Sequence, residues 1–308
     1  MLLSLGILIF SIVILYFGAE LSLNSSEKIG AKLGLPPLII GMVLVGFGTS
    51  LPEFFVAHIA GVQGKAGLAI GGLIGSNIAN MFLVLGICGL ITKFSVFSGG
   101  VAKHLGVHFV LGLILIFVLN QSELNLINAL PLLILVIVYL YLLKTDLGKE
   151  FEKNNEHADA KPHVLAFQLL AGFSMLYLGG EFLVKSGSDL CLSMGMSEYI
   201  VSAIFISFGT SFPELVTAVM AAVKKKHTDL IIGNIVGSNL FNCAFILGSL
   251  GIYRFKLDID FSKELAFLVG GALILFMMSL LKKYFFKKMG LVFISAYIVM
   301  VLIWIKVI

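Results

Sequence analysis

The chain has 308 residues, of which 59% are apolar or aromatic and only 12% are charged, with a formal net charge of +4. An ordinary soluble domain carries about 25% charged residues, and this chain has too little polar side chain to cover a soluble surface of its size. A soluble enzyme, a nucleic-acid binder and a disordered chain are excluded, which leaves an integral membrane protein.

Met1 to Gly18 is apolar from the first residue, with no basic stretch ahead of it and no small-residue cleavage site before Glu20, so it reads as a retained spanning helix. A span needs about 20 mostly apolar residues. Ten stretches qualify: 1–23, 37–62, 66–91, 101–119, 125–143, then 164–187, 197–222, 229–252, 265–281 and 289–306. The one long polar stretch, Lys144 to His163, reads as a cytoplasmic linker and lacks the regular acidic spacing of a calcium loop. The chain therefore divides into a first five-helix unit (1–143), a linker (144–163) and a second five-helix unit (164–308). Cys88, Cys191 and Cys243 lie far apart in apolar runs, offering neither a disulfide framework nor a zinc spacing.

Alternating the loops between the two sides tests this count. One side receives 15 basic residues: Lys28, Lys32, Lys93, Lys103, Lys144, Lys149, Lys153, Lys161, Lys224 to Lys226, Lys282, Lys283, Lys287 and Lys288. The other receives 6: Lys65, Lys185, Arg254, Lys256, Lys263 and Lys306. Basic residues favour the cytoplasmic side, so both termini are expected outside the cytoplasm of a plasma (inner) membrane. The run at 224–227 reads as a cluster facing lipid headgroups.

Three matches recur in order. Tyr16 to Glu20 pairs with Tyr177 to Glu181, and GTSLPE at 48–53 with GTSFPE at 209–214, both at an offset of 161. GSNIAN at 75–80 pairs with GSNLFN at 237–242 at an offset of 162. Each unit holds five helices, an odd number, so the second must enter the membrane from the opposite side. The expected fold is an all-α membrane protein of ten transmembrane helices built as two inverted five-helix repeats, an architecture that places substrate near the midplane.

Glu53 and Glu214 carry the chemistry. A carboxylate at the centre of a span costs about 2.5–3.5 kcal/mol on insertion scales, and two at related positions point to anionic ligands for a buried cation. Pro52 and Pro213 lack an N–H and free carbonyls over Gly46 to Thr49 and Ser207 to Thr210. Thr49, Ser50, Thr210 and Ser211 add carbonyl or hydroxyl oxygens, or satisfy the broken helices. Ser76 and Asn80, spaced i, i+4, share a face, as do Ser238 and Asn242. Asn77 and Asn239 read either as ligands or as polar contacts between helices. Such an all-oxygen set suits Ca2+ and Na+ rather than soft metals. Two carboxylates balance one Ca2+ or two Na+, and competition for one site amounts to exchange. No nucleotide-binding P-loop is present.

GTSLPE with GSNIAN, and GTSFPE with GNIVGSNLFN, resemble the paired repeats of the Ca2+/cation antiporter superfamily, in particular its prokaryotic sodium/calcium exchanger family. The likeness covers essentially the whole chain. It implies a secondary transporter, not an enzyme, exchanging Na+ for Ca2+, commonly three to one and electrogenic, with the first and sixth helices sliding across the rest. It further implies that Glu53 and Glu214 ligate Ca2+ and share in Na+ binding, with the carbonyls of Thr49 and Thr210 and with Asn80 and Asn242 at the centre. Ser50, Ser76, Ser211 and Ser238, with Gly46 and Ser207, would serve flanking Na+ sites. No cofactor is expected; the partners are the transported ions and membrane lipid, with no nucleic acid or nucleotide, and a monomer suffices. Some relatives carry an acid at the place of Asn242, which accompanies K+ co-transport; the amide here argues against K+ dependence. Gly72 stands where the second repeat has Asn234. His58 reads as structural, and Glu20 and Glu181 as interfacial. The alternatives are H+-coupled exchange, another divalent ion as cargo, and a channel built from the same oxygens; the motifs of an intramembrane protease are missing.

Overall fold

The computed structural model describes residues 2–97, 100–146, 161–193, 211–224 and 228–304. Its helices are α1 (Leu2–Leu33), α2 (Pro37–Thr49), α3 (Leu51–Val62), α4 (Ala66–Ile91), α5 (Val101–Leu119), α6 (Leu126–Asp146), α7 (Pro162–Ser193), α8 (Phe212–Val223), α9 (Thr228–Tyr253), α10 (Ser262–Leu280) and α11 (Lys287–Trp304). Among the described residues, eight helices are long and apolar enough to cross a membrane, and α2 with α3 makes a further span bent by 42°. The expected span 197–222 is described only from Ser211 onward, as α8. Large apolar side chains such as Phe10, Phe17, Ile127 and Phe167 face outward, a surface suited to lipid rather than water.

Glycine in the left-handed region ends two of the helices. Gly34, at φ 67°, closes α1, and the Leu35 N–H returns to the Gly30 carbonyl at 2.8 Å. Gly64, at φ 68°, closes α3 in the same way, with Lys65 N–H on the Ala60 carbonyl at 2.9 Å. Both turns satisfy carbonyls that the helix end would otherwise orphan. Pro37 then opens α2 at a first-turn position, where a missing N–H costs nothing.

α1 and α7 have 32 residues each, longer than the expected 1–23 and 164–187. At 1.5 Å per residue each is about 48 Å long. The polar continuation of α1 stays helical because Ser22, Ser25 and Ser26 are buried against protein. The two helices lie antiparallel at backbone contact: a Cβ on Gly18 would stand 2.9 Å from Leu176 N, one on Gly179 3.0 Å from Leu15, and one on Gly172 2.7 Å from Ser22 N. α5 and α10 are antiparallel as well, with Gly106 against Phe276 and Gly112 against Val269.

Short strands tie the loops of one half to those of the other. β1 (Phe94–Ser95), between α4 and α5, pairs with β4 (Tyr284–Phe285), between α10 and α11. β2 (Glu123–Leu124), between α5 and α6, pairs with β3 (Phe255–Lys256), between α9 and α10. The Phe94 and Phe285 rings stack at 5.1 Å, and Lys93 Nζ lies 4.2 Å above the Tyr284 ring.

α4 and α9 form the centre: 72% and 89% of their apolar windows are buried, against at most 50% for the other spanning helices. His58 links α3 to the end of α9. Ser249 gives its proton to the Ile246 carbonyl (2.7 Å) and so accepts from His58 Nε2 at 3.1 Å, leaving Nδ1 to accept from Tyr253 Oη at 3.1 Å. The Phe54 ring packs on the imidazole with centroids 4.4 Å apart. The histidine is thus structural, as expected. His58→Ala removes two hydrogen bonds worth about 0.5–1.5 kcal/mol each. Its melting temperature is expected to fall by several degrees, while the stabilisation conferred by added cations stays as in the wild type; a lost cation response would place His58 in the site.

Candidate functional site

Helices from both halves of the chain converge on Glu53 and Glu214. α2 ends at Thr49, Ser50 stands at φ −88° and ψ 6°, and α3 restarts with Pro52 and Glu53 in its first turn. α8 starts in the same way, with Ser211 at φ −87° and ψ 3°, followed by Pro213 and Glu214. In the first repeat Pro52 provides no N–H to the Gly48 carbonyl four residues back, so the helix breaks and Glu53 lies just past the break. The opposite wall comes from α4 and α9. Each carries a turn of π-helix at the same place in its repeat: Ala79–Val84, which includes Asn80, and Phe241–Ile246, which includes Asn242. A third covers Ile40–Gly46, just ahead of the break in α2. Such bulges widen the helix at the cost of backbone geometry and recur at functional sites. The sequence shows no signal for them.

All of the described donors are buried. Glu53, Glu214, Thr49, Ser50, Ser76, Asn80, Ser211, Ser238 and Asn242 are at most 3% exposed. Ser50 Oγ donates to Glu214 Oε1 at 2.9 Å, with Ser238 Oγ 3.5 Å from the same oxygen. Ser76 Oγ donates to Glu53 Oε1 at 3.2 Å and accepts from Ser211 Oγ at 3.0 Å and Asn242 Nδ2 at 3.3 Å. Ser238 Oγ also donates to the Gly46 carbonyl at 3.0 Å, and Thr49 Oγ1 bonds back to Val45 O at 3.1 Å. The structure therefore brings together Gly46, Thr49, Ser50, Glu53, Ser76, Asn80, Ser211, Glu214, Ser238 and Asn242, the expected donors from both halves. Ser207 and Thr210 lie outside the described residues.

The hydrogen bonds also decide which atoms point inward. Asn242 spends its Nδ2 on Ser76, and Asn80 spends its Nδ2 on Asn239 Oδ1 at 3.2 Å. Their oxygens, Asn80 Oδ1 and Asn242 Oδ1, together with Glu214 Oε2, are buried without a hydrogen-bond partner among the described residues. Buried acceptors left open in this way cost about 1–3 kcal/mol each, a cost a bound cation would offset. Hydroxyl donors are satisfied and acceptor oxygens are left over, the donor set of a hard cation. No group of three or more His, Cys, Asp or Glu side chains placed to hold a metal ion occurs among the described residues, so beyond the two carboxyl groups the oxygens on offer are amides, hydroxyls and carbonyls.

Asn77 and Asn239 join helices. Asn77 Nδ2 donates to Asn239 O at 3.0 Å and Asn239 Nδ2 to Asn77 O at 3.4 Å, a reciprocal clasp between α4 and α9. The missing asparagine at Gly72 also has an explanation. Asn234 Nδ2 donates to Thr217 Oγ1 at 3.0 Å, and the first repeat has Val56 where the second has Thr217. Both partners are replaced together, so no polar group is stranded. Glu20 is paired with Lys224 at 2.5 Å, tying α1 to the end of α8 at the surface.

An outward apolar belt and a buried oxygen cage that spans both halves define a multi-pass membrane transporter rather than an enzyme. The chain belongs to the sodium/calcium exchanger protein family, which matches residues 3–145 and again residues 164–306. It is 30% identical over 259 residues to the inner membrane protein YrbG of Escherichia coli, covering 80% of this chain and 79% of that one. It is 28% identical over 301 residues to membrane protein MJ0091 of Methanocaldococcus jannaschii, covering 97% of each. The sodium/calcium exchanger MaX1 of Methanosarcina acetivorans is 24% identical over 80% of this chain and 82% of its own length. Among solved structures, the sodium-calcium exchanger NCX_Mj soaked with 10 mM Na+ and zero Ca2+ matches with a TM-score of 0.83 at 26% identity, over 97% of each chain.

Proposed function

We propose that this protein is a secondary antiporter that exchanges Na+ for Ca2+ across the plasma membrane by alternating access around one buried oxygen site. The observation that carries this reading is the pair of buried glutamates, Glu53 and Glu214, surrounded by serine hydroxyls and open amide oxygens from both halves. The two carboxylates neutralise one Ca2+ or two Na+, so the ions compete for overlapping positions. A third Na+ at the flanking serines would leave one net charge moved per cycle, hence an electrogenic exchange of 3 Na+ for 1 Ca2+. The amide of Asn242 brings no further negative charge for K+.

The division into two inverted repeats, 1–143 and 164–308 about the linker 144–163, is supported by three directions. The related helices α1 and α7 are antiparallel. The loop after α4 pairs with the loop before α11, and the loop before α6 with the loop after α9; these loops share a side only if the halves run oppositely. The family matches each half separately. With the basic side cytoplasmic, both termini lie outside.

The test is 45Ca2+ uptake by the purified protein in liposomes loaded with Na+, with a pH gradient in a parallel set and a potential-sensitive dye to read charge movement. Uptake that requires an outward Na+ gradient and is accelerated by an inside-positive potential is expected, because each cycle carries one net positive charge out. Uptake that follows the pH gradient alone would make the protein a proton-coupled exchanger, and uptake at equal speed without any counter-ion would make it a channel.

A further inference from the structure

A histidine sits behind the cation site, at a place the two repeats do not share. His108, on α5, is 3% exposed. Its Nε2 lies 3.1 Å from Asn239 Nδ2. The position 161 residues on is Val269, so the first half alone supplies it.

The surrounding bonds fix every amide in the chain. Asn239 Oδ1 faces Asn80 Nδ2 at 3.2 Å, which requires an acceptor there. Asn239 Nδ2 faces the Asn77 carbonyl at 3.4 Å, which requires a donor. With that orientation, His108 Nε2 must accept, and the ring proton of the neutral imidazole resides on Nδ1, which has no partner among the described residues. Asn239 in turn holds Asn80 by its Nδ2, so Asn80 Oδ1 is the atom left open.

We propose that His108 is a positioning residue for cation binding: by accepting from Asn239 it locks the Asn80 amide with its oxygen turned to the cation. Without that acceptor Asn239 Nδ2 is held only by its long bond to the Asn77 carbonyl, and a half-turn of the amide presents Nδ2 to Asn80 Nδ2. Asn80 must then turn as well, placing an N–H where the cation needs an oxygen. The inference rests on the exchanger reading of the site.

The experiment measures thermal stabilisation of the full-length purified protein by Ca2+ and by Na+ at pH 8 for the wild type, His108→Gln and His108→Leu. Glutamine keeps an acceptor at the Nε2 position, and its cation affinity is expected to match the wild type. Leucine removes the acceptor and is expected to weaken cation binding about two- to ten-fold, the equivalent of one lost hydrogen bond. A merely structural histidine would lower the ion-free melting temperature in both variants and leave cation affinity where it was; wild-type affinity in His108→Leu, or an equal loss in His108→Gln, would overturn the proposal. A wild type that is stabilised by neither cation would overturn the site reading itself, and this inference with it.

Discussion

Glu53→Gln and Glu214→Gln are each expected to reduce Na+-dependent Ca2+ flux by about 100-fold or more, while raising the melting temperature of the ion-free protein. The first effect follows from charge. Removing one partner from a buried ionic arrangement costs about 3–5 kcal/mol, and each 1.4 kcal/mol is tenfold in affinity. With one glutamate amidated, a single negative charge faces Ca2+ in a site whose other described side-chain donors are neutral. The second effect has the opposite sign. Without cations the protein buries two carboxyl groups whose charged form desolvation disfavours. The amide keeps the shape and still presents an oxygen at the position where Ser50 and Ser238 approach Glu214 Oε1, and where Ser76 donates to Glu53 Oε1. The liposome uptake assay reads the first effect, and melting of the ion-free protein reads the second. Unchanged flux in either variant, or a drop in ion-free stability, would reduce that glutamate to a structural role.

Much of the site was legible because its chemistry conflicts with its surroundings. A glutamate after a proline in the middle of a span is costly, so its presence at 53 and again at 214 marks a candidate ligand. Repetition at an offset of 161–162 then points to Ser76, Asn80, Ser238 and Asn242 without any structural knowledge. The reach of α1 and α7 was less legible. Serines look like a helix boundary in a hydropathy reading, yet Ser22, Ser25 and Ser26 are buried inside the protein, where their hydroxyls face other helices instead of lipid.

The orientation of the amides was not legible at all. Whether Asn80 offers oxygen or nitrogen to the site depends on Asn239, and the orientation of Asn239 depends on Asn77 and His108, three residues from three helices. No spacing along the chain encodes that. The π turns at Asn80 and Asn242 belong to the same class: the local sequences ANMFLV and FNCAFI are ordinary apolar helix, and the bulge is visible only in the folded chain.

Replacing Gly237 by alanine is expected to separate two helices and silence transport together. α2 and α9 run in parallel at backbone contact, interlocked by four glycines. A Cβ on Gly233 would stand 2.3 Å from Leu38 O, and one on Gly237 2.5 Å from Met42 O and 2.6 Å from its Cα. From the other side, Cβ atoms on Gly41 and Gly46 would stand 2.5 Å from Leu230 O and 2.7 Å from Asn234 O. These obstacles are backbone, which cannot swing aside as a side chain would. In a bilayer, where apolar burial does not drive helix association, such close packing is a main source of cohesion. Overpacking of this kind costs about 1–3 kcal/mol, so the melting temperature of Gly237→Ala should drop by several degrees. The functional loss should be larger than the stability loss. α2 leads straight into Gly46 and Thr49, and Ser238, next to the substituted position, holds the Gly46 carbonyl at 3.0 Å and approaches Glu214 Oε1 at 3.5 Å. Pushing α2 away by the several tenths of an ångström that a methyl requires therefore opens the cation cage on the α2 side. Gly6→Ala is the matched control, since Gly6 is exposed and a Cβ there meets nothing within 4 Å. If Gly237→Ala transports at the wild-type rate in the liposome assay, the contact between α2 and α9 does not shape the site.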